Sequence, residues 1–192
     1  KVWSLLARLA GIDQLHIGAP KGKMERDYET VLENLEECTR PLGNIKPAWA
    51  IASGWLKATV MWDVARIMNP TGDEPNKDLV FQAGGGTHAH PEGTFAGAKS
   101  MVQARDCIND GIGPIDGISK HYELLLAFRR WEHKTYVKWL QQISEGDEIV
   151  VDLDKRIYPK NGDYKEQGPE PTPLSEAIEK FPELKSDLKE HN

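Results

Sequence analysis

Residues 79–93 read LVFQAGGGTHAHPEG, and this stretch decides how the rest of the chain is interpreted. It begins as a short apolar run of the kind that forms a buried strand, and it turns at once into Gly84, Gly85 and Gly86. Three glycines leave no Cβ atoms in the turn, so backbone N–H groups can approach a bulky anion closely. The stretch therefore predicts either a phosphate-binding turn or a tight strand-to-helix turn that binds nothing.

Two earlier segments repeat this order of strand and helix. Residues 14–17 and 48–52 are short apolar runs that end in glycine-containing turns. Apolar residues at helical spacing follow each strand, which predicts helices over 25–40, 56–68 and 97–110. Strands that are apolar rather than alternating are typical of a parallel sheet that is covered by helices on both faces.

The three units fit a barrel better than an open nucleotide-binding sheet. The Gly-x-Gly-x-x-Gly pattern of dinucleotide-binding folds is not met, because Ala89 stands where a glycine would be needed. A (β/α)₈ barrel places its ligand-binding groups at the C-terminal strand ends, and it takes about 250 residues. This chain has 192 residues. We therefore predict an α/β fold in which residues 1–112 form the last three βα units (strands 6 to 8) of a TIM barrel.

The flanking segments are predicted to be helical or extended. Residues 113–143 form a helical extension, in which 118–142 reads as one aromatic-rich packing helix. Residues 144–192 form an extended charged tail with a short helix near 175–180. Residues 2–10 read as a helix without an N-cap, which Gly11 closes, so we expect the chain to begin inside an element as one piece of a longer or split protein.

Composition excludes some classes of partner. With 39% hydrophobic residues, 28% charged residues and a net charge of −6, the chain has no basic surface for nucleic acid. No apolar run approaches the ~18 residues of a membrane span, and no leader is recognisable, so we expect a cytoplasmic protein without membrane contact. Cys38 and Cys107 both fall on apolar helix faces and are predicted to be buried, reduced thiols.

Several motifs together resemble a known family. These are LHIG at 15–18, GKME at 22–25, Ser53-Gly54, QAGGGT at 82–87 and His90-Pro91. In this order they closely resemble the C-terminal barrel of the large subunit of ribulose-1,5-bisphosphate carboxylase/oxygenase. The resemblance runs from about Val2 to Asp110 and more loosely to Trp131, and it is closer to the archaeal and bacterial forms that lack small subunits.

The resemblance implies a role for each matching residue. Lys23 resembles the catalytic loop lysine that stabilises the carboxylate developing from CO₂. His16 resembles the histidine that helps to hold one substrate phosphate, and Ser53 resembles the serine that binds a substrate hydroxyl. Gly84 and Gly85 resemble the backbone donors of the other phosphate site. The turn at Gly54 and Trp55 would assist them.

The resemblance also implies a cofactor and partners. The substrates would be ribulose bisphosphate and CO₂ or O₂, and the activity that of a carbon–carbon lyase. The family's Mg²⁺ is held by a carbamylated lysine with an aspartate and a glutamate, all from upstream strands that have no counterpart in this sequence. We therefore expect no metal ligands in this chain, no activity from it alone, a need for the upstream half of the barrel, and a homodimer or larger homo-oligomer.

Departures from the family pattern leave alternatives open. Trp55 stands where the family usually has a glycine, so its side chain must point away from the phosphate or narrow the pocket. Lys21 and Arg26 add charges to the lysine loop. His88 and His90 could suggest a metal pair, although the resemblance makes His90 structural. The alternatives are a carboxylase-like enolase or isomerase acting on a sugar phosphate, and a non-catalytic half-barrel.

Overall fold

The computed structural model describes residues 1–21, 27–69 and 74–144, with the side chains of 142–144 excepted. The elements in chain order are α1 (Val2–Leu9), β1 (Gln14–His16), α2 (Tyr28–Thr39), β2 (Trp49–Ser53), a 3₁₀ turn (Ala58–Val60), α3 (Met61–Ile67), β3 (Val80–Gln82), α4 (Gly85–His88), α5 (Gly93–Asn109), α6 (Pro114–Lys120), α7 (Tyr122–Trp131) and α8 (His133–Ser144). Within these ranges, no helix has the length and apolar character that crossing a lipid bilayer requires.

The three strands form one parallel sheet in the order β1-β2-β3. His16 lies opposite Ile51, and Ser53 lies opposite Gln82. The predicted alternation of strand and helix is therefore confirmed. The predicted burial of all three strands is wrong for β1 and β3, whose residues are exposed or half-buried, whereas the middle of β2 is buried. Each outer strand has one neighbour among the described strands, so only β2 is enclosed.

Two apolar clusters hold the helices in place. One lies between the sheet and helices α2 and α3, and its members include Val31, Leu35, Ala50, Ala52 and Val64. The other joins α3 and α5 to the C-terminal helices through Phe128, Tyr136, Trp139 and their neighbours. The aromatic-rich segment thus packs against this chain's own helices, as its sequence predicts.

The predicted single helix over 118–142 is wrong, because the chain breaks twice in this region. His121 adopts extended backbone angles (φ −137°, ψ 112°) between α6 and α7, and Glu132 (φ −129°, ψ 60°) separates α7 from α8. The breaks let Ile118, Phe128 and Trp139 reach one common core, which a straight helix of that length could not do. The helix predicted to start at residue 97 begins earlier in the structure, since α5 starts at Gly93.

Two other predicted helix boundaries can be compared with the structure. Gly11 has φ 86° and follows α1, as expected of a C-terminal glycine. Helix α2 begins at Tyr28, because the carboxylate of Asp27 accepts a hydrogen bond from the Thr30 N–H at 3.1 Å and caps the helix. Residues 25 and 26, where that helix was predicted to start, lie outside the described residues, as does the predicted tail from 145 onward.

A buried arginine fastens α1 to the rest of the chain. The guanidinium of Arg8 is 2% exposed and donates to the carbonyl oxygens of Glu37 (2.9 Å) and Arg40 (2.7 Å) at the end of α2. It also donates to the carbonyls of Lys46 (3.0 Å) and Ile45 (3.3 Å) in the following loop. The positive charge complements the negative end of the α2 dipole, so one side chain satisfies carbonyls that the helix leaves open.

Replacing this side chain should be costly. Arg8→Ala removes one buried and three partly buried hydrogen bonds to carbonyl oxygens, and we expect it to lower the free energy of unfolding by about 3 kcal/mol. Urea unfolding followed by circular dichroism measures the change. Arg66→Ala, on the exposed side of α3, is the matched control and should change stability by less than about 0.5 kcal/mol. Equal effects of the two substitutions would contradict the role given to Arg8.

Both cysteines are buried free thiols, as the sequence predicts. Burial raises the pKa of the Cys38 thiol, and it raises the pKa of Cys107 to about 11. The thiol of an unfolded chain ionises near pH 8.5. The native state therefore holds its Cys107 proton over a range in which the unfolded state releases it, and stability must fall as pH rises through that range.

This linkage gives a measurable pH dependence. Between about pH 8.5 and about pH 11, the Cys107 thiol should cost the native state roughly 3 kcal/mol. Other groups titrate there too, so the quantity to measure is the difference in unfolding free energy between the native sequence and Cys107→Ala. We expect that difference to shift in favour of the variant as pH rises. A difference that stays constant with pH would refute the shifted thiol.

Candidate functional site

The C-terminal ends of the three strands lie along one edge of the sheet, because the strands are parallel neighbours. His16 ends β1, Ser53 ends β2 and Gln82 ends β3. The turns that follow these strands carry most of the residues that the sequence singled out. The edge is therefore the place where those residues can act together.

His16 and Ser53 are in direct contact. The Nδ1 atom of His16 lies 2.8 Å from the Ser53 Oγ, and the pair is exposed. A hydroxyl group can donate one hydrogen bond and accept two, and the second imidazole nitrogen is a further donor or acceptor. After forming their mutual bond, both side chains keep capacity to bind a hydroxyl or an anionic oxygen of a ligand.

The three glycines after β3 form a tight turn from the strand into a helix, which is one of the two predicted arrangements. Gly84 precedes a short helix, α4, whose first turn contains Gly85 and Gly86. A Cβ atom on Gly86 would lie 1.8 Å from the Leu56 carbonyl oxygen, and one on Gly85 would lie 2.1 Å from the Trp55 ring. A Cβ on Gly84 would meet nothing within 4 Å. Packing between the two turns thus requires glycine at 85 and 86, and it leaves Gly84 unexplained.

Gly84 is the one glycine of this turn whose missing side chain leaves space that a ligand could occupy. The space of the missing side chain is therefore open at Gly84 and filled at Gly85 and Gly86.

Trp55 adopts an unusual backbone conformation beside this turn. Its φ is 58°, in the left-handed region, and among the described residues no other non-glycine residue has a positive φ. Gly54, with φ 125°, precedes it. The indole lies on Gly85 and stays 37% exposed. Of the two orientations that the sequence left open, the structure favours the one that narrows the space at the glycine turn.

The two histidines after the glycines are separated by their surroundings. His90 is 4% exposed, its Nδ1 accepts the Glu92 N–H at 3.1 Å, and its Nε2 lies 3.0 Å from the Glu123 carbonyl oxygen. Because Nδ1 accepts a hydrogen bond, it carries no hydrogen, and the N–H group at Nε2 donates a hydrogen bond to the Glu123 carbonyl. His88 instead contacts the Thr94 hydroxyl at 3.0 Å. Both nitrogens of His90 are occupied by protein atoms, so a His88–His90 metal pair is not formed.

The sequence analysis missed a buried carboxylate, that of Glu123, whose residue also contacts His90 after the glycine turn. Glu123 is 2% exposed and accepts from Lys99 at 2.5 Å and from the Gln103 amide at 2.7 Å, which ties α7 to α5. Its backbone carbonyl holds His90. The signal in the sequence was an isolated acidic residue at the start of the apolar run 122–128, since a lone carboxylate in such a run needs buried partners.

The lysine loop is described only at its start. Lys21 forms an ion pair with Asp63 of α3, which connects this loop to the second unit. Lys23 and Arg26 lie outside the described residues. In the described ranges, no three His, Cys, Asp or Glu side chains come together in a way that could hold a metal ion.

Comparison with known proteins places this geometry in a family. The model of the ribulose bisphosphate carboxylase large chain, catalytic domain, matches residues 1–131. The ribulose bisphosphate carboxylase of Methanosarcina acetivorans is 37% identical over 143 residues, which cover 67% of this chain and 32% of that protein. The Pyrococcus abyssi enzyme is 35% identical over 125 residues, covering 65% of this chain and 28% of that protein.

Solved structures give the same result. Octameric ribulose-1,5-bisphosphate carboxylase/oxygenase from Pyrococcus horikoshii superposes with a TM-score of 0.61 at 32% identity, over 69% of this chain and 30% of that one. A rubisco-like protein from Burkholderia fungorum gives 0.58 at 27% identity, over 67% and 31% of the two chains. This chain thus spans about a third of the length of the relatives that it matches.

The difference in packing between Gly84 and Gly86 can be tested by adding one methyl group at each position. Gly86→Ala places a Cβ against the Leu56 carbonyl, and we expect it to destabilise the fold by about 2 kcal/mol or more. Gly84→Ala meets open space and should destabilise the fold clearly less than Gly86→Ala does. Denaturant unfolding of both variants decides, and a Gly84→Ala variant as unstable as Gly86→Ala would refute the packing analysis.

Proposed function

The chain belongs to the family of the ribulose bisphosphate carboxylase large chain, and we propose that it forms the C-terminal strand-end part of a ribulose-1,5-bisphosphate carboxylase/oxygenase. The observation that carries the proposal is the 2.8 Å contact between His16 and Ser53 at neighbouring strand ends. Two residues that were assigned from separate motifs to one substrate lie side by side, on the same sheet edge as the open position at Gly84.

In the proposed site, each residue acts on a different part of the substrate. His16 would donate to one phosphate, and Ser53 would bind a hydroxyl group next to it. The backbone at Gly84, with contributions from Gly85 and the Gly54-Trp55 turn, would bind the other phosphate. Backbone N–H groups suit this task because they are fixed dipoles that need no reorganisation when the anion arrives.

Lys23 is the proposed catalytic residue. Carboxylation joins CO₂ to the enediolate of ribulose bisphosphate, and a negative charge develops on the CO₂ oxygens as the new carbon–carbon bond forms. An ammonium group next to those oxygens would stabilise the charge, and a site closed to water strengthens the effect. The assignment depends on the Gly22-Lys23-Met24-Glu25 motif.

The family resemblance also implies Mg²⁺, which would polarise the substrate oxygens when bound. The described residues do not fit such a site, since they contain no cluster of three His, Cys, Asp or Glu side chains. We propose that its ligands, including a carbamylated lysine, belong to barrel units outside the present chain. No step described for Lys23, His16 or Ser53 requires this chain to bind the metal.

The incomplete surfaces of the sheet support a larger barrel. Both outer strands are poorly covered, and α1 exposes Trp3 (83%), Leu6 (48%) and Leu9 (51%) along one face. A cavity of about 500 Å³ beside β3 is lined by apolar residues that include Leu79, Phe81 and Met101. We propose that these three units are the last of a (β/α)₈ barrel and that the upstream units cover these surfaces.

The proposed assembly is a homo-oligomer. Structures of similar proteins are described as octameric in Pyrococcus horikoshii and as dimeric in Hyperthermus butylicus, the latter with a TM-score of 0.54 at 31% identity over 70% of this chain and 32% of that one. We propose a homodimer or a larger homo-oligomer, located in the cytoplasm.

A second candidate is a carboxylase-like enolase or isomerase that acts on a sugar phosphate. The observation in its favour is the indole of Trp55 on Gly85, because it restricts one of the two phosphate sites that a bisphosphate needs. The presence of Lys23 favours the carboxylase, since the loop lysine is the residue that CO₂ addition requires. The remaining alternative is a non-catalytic half-barrel. It requires that the exposed apolar face of α1 stays uncovered in the native protein.

A chimaera separates these functions. The segment of the Methanosarcina acetivorans enzyme that matches this chain is replaced by this chain, and incorporation of labelled CO₂ into ribulose bisphosphate is measured. We expect carboxylation, and we expect Lys23→Met to reduce it by at least about 100-fold because the developing charge loses its cation. Lys120→Met, on the exposed surface of α6, is the control and should retain full activity.

Each other result has a defined meaning. Turnover of a sugar phosphate without CO₂ incorporation would transfer the assignment to the enolase or isomerase. A chimaera that assembles into the parent oligomer and catalyses neither reaction would refute both enzymatic proposals, and size-exclusion chromatography with light scattering establishes the assembly.

A further inference from the structure

The glycines of the β3 turn differ in how much space they offer a ligand. At Gly86 the space of the missing side chain is filled by the Leu56 carbonyl, with the oxygen 1.8 Å from an ideal Cβ position. At Gly85 it is filled by Trp55, whose Cε3 and Cζ3 atoms lie 2.1 and 2.2 Å from that position. At Gly84 it is empty. A glycine promotes close approach of a ligand only where the space that it vacates stays open.

The group that fills the space at Gly85 is held there at a cost. A left-handed φ of 58° is unfavourable for a residue with a bulky side chain. Backbone strain of this kind persists where the surroundings impose it, and it is found most often at ligand sites. Trp55 follows Ser53 by two residues, so the same short turn carries both the substrate-binding hydroxyl and the strained indole.

We infer that Trp55 is a specificity-determining residue, which limits the approach of an anion at Gly85 and so weakens the phosphate site at this end of the ligand. The inference rests on the proposed function, because it assumes that the strand-end edge binds a phosphorylated sugar. The phosphate held by His16 lies at the other end of that ligand and does not depend on the indole.

A change in ligand preference follows from this arrangement. A bisphosphate normally gains affinity from its second phosphate through charge-assisted hydrogen bonds to backbone N–H groups. With Gly85 covered, part of that gain is lost, and the group at this end lies beside an aromatic face. The site should therefore distinguish a bisphosphate from a monophosphate less strongly than an uncovered glycine turn would.

Calorimetry on the chimaera described above tests the inference with two probes, ribulose 1,5-bisphosphate and ribulose 5-phosphate. Trp55→Ala uncovers Gly85, and we expect it to tighten bisphosphate binding by about tenfold, the effect of one recovered hydrogen bond to a charged group, with little change for the monophosphate. Trp55→Gly should do the same and also suits the left-handed backbone, so it supplies the test if the alanine variant does not fold. Trp49→Ala, at the opposite end of β2 and 52% exposed, should change neither affinity.

Amide chemical shifts of the chimaera with native Trp55 give a second readout. Addition of inorganic phosphate should move the N–H signal of Gly84 and leave that of Gly85 in place, whereas in Trp55→Ala both signals should move. A Gly85 signal that moves as much as that of Gly84 before any substitution would overturn the inference.

The outcomes for the two proposals are distinct. If the chimaera with native Trp55 binds the bisphosphate, His16→Ala abolishes binding, and both Trp55 variants bind it no more tightly, then the role of Trp55 is refuted and the proposed site stands. If the chimaera assembles into the parent oligomer but neither it nor any variant binds either sugar phosphate, the proposed phosphate site fails, and the inference about Trp55 fails with it.

Discussion

Parallel pairing of β2 with both of its neighbours is the constraint on which this structure depends. It aligns Ser53 with Gln82 on one side and places Leu15 and His16 beside Ala50 and Ile51 on the other, so that three turns open on the same edge. The buried residues of β2 in turn fix α2 and α3 against the sheet. The contact between His16 and Ser53 is a consequence of this register, since a shift by one residue would turn one of the two side chains to the opposite face.

Close contact between successive turns is the second determinant of the site. The chain after β2 runs so near the chain after β3 that Gly85 and Gly86 have no room for a methyl group. Behind the second turn, His90 and the buried Glu123 fix its position relative to α5 and α7. A glycine-rich stretch can therefore arise from packing at some of its positions and from ligand approach at another, and the residues alone do not separate the two causes.

The sequence predicted the elements better than it predicted their limits and contacts. Local patterns were sufficient for the strand–helix order and for Gly11, because apolar spacing and a closing glycine act within a few residues. They failed at His121 and Glu132, where packing of the aromatic core rather than local preference breaks the helix. They also did not predict the short helix α4. The residues of the candidate site were predicted from short motifs. The position of the Trp55 ring and the partners of His90 depend instead on segments distant in the chain. His90 and Glu123, for example, are 33 residues apart.

The central claim is that His16 and Ser53 form one ligand-binding unit at the strand ends. A double-mutant cycle on ribulose bisphosphate affinity tests it most directly, using the chimaera with His16→Ala, Ser53→Ala and both substitutions together. Because the two side chains are hydrogen-bonded, we expect the loss in the double variant to fall short of the sum of the single losses by about 1 kcal/mol or more. Losses that add independently, or an affinity that neither substitution changes, would contradict the account.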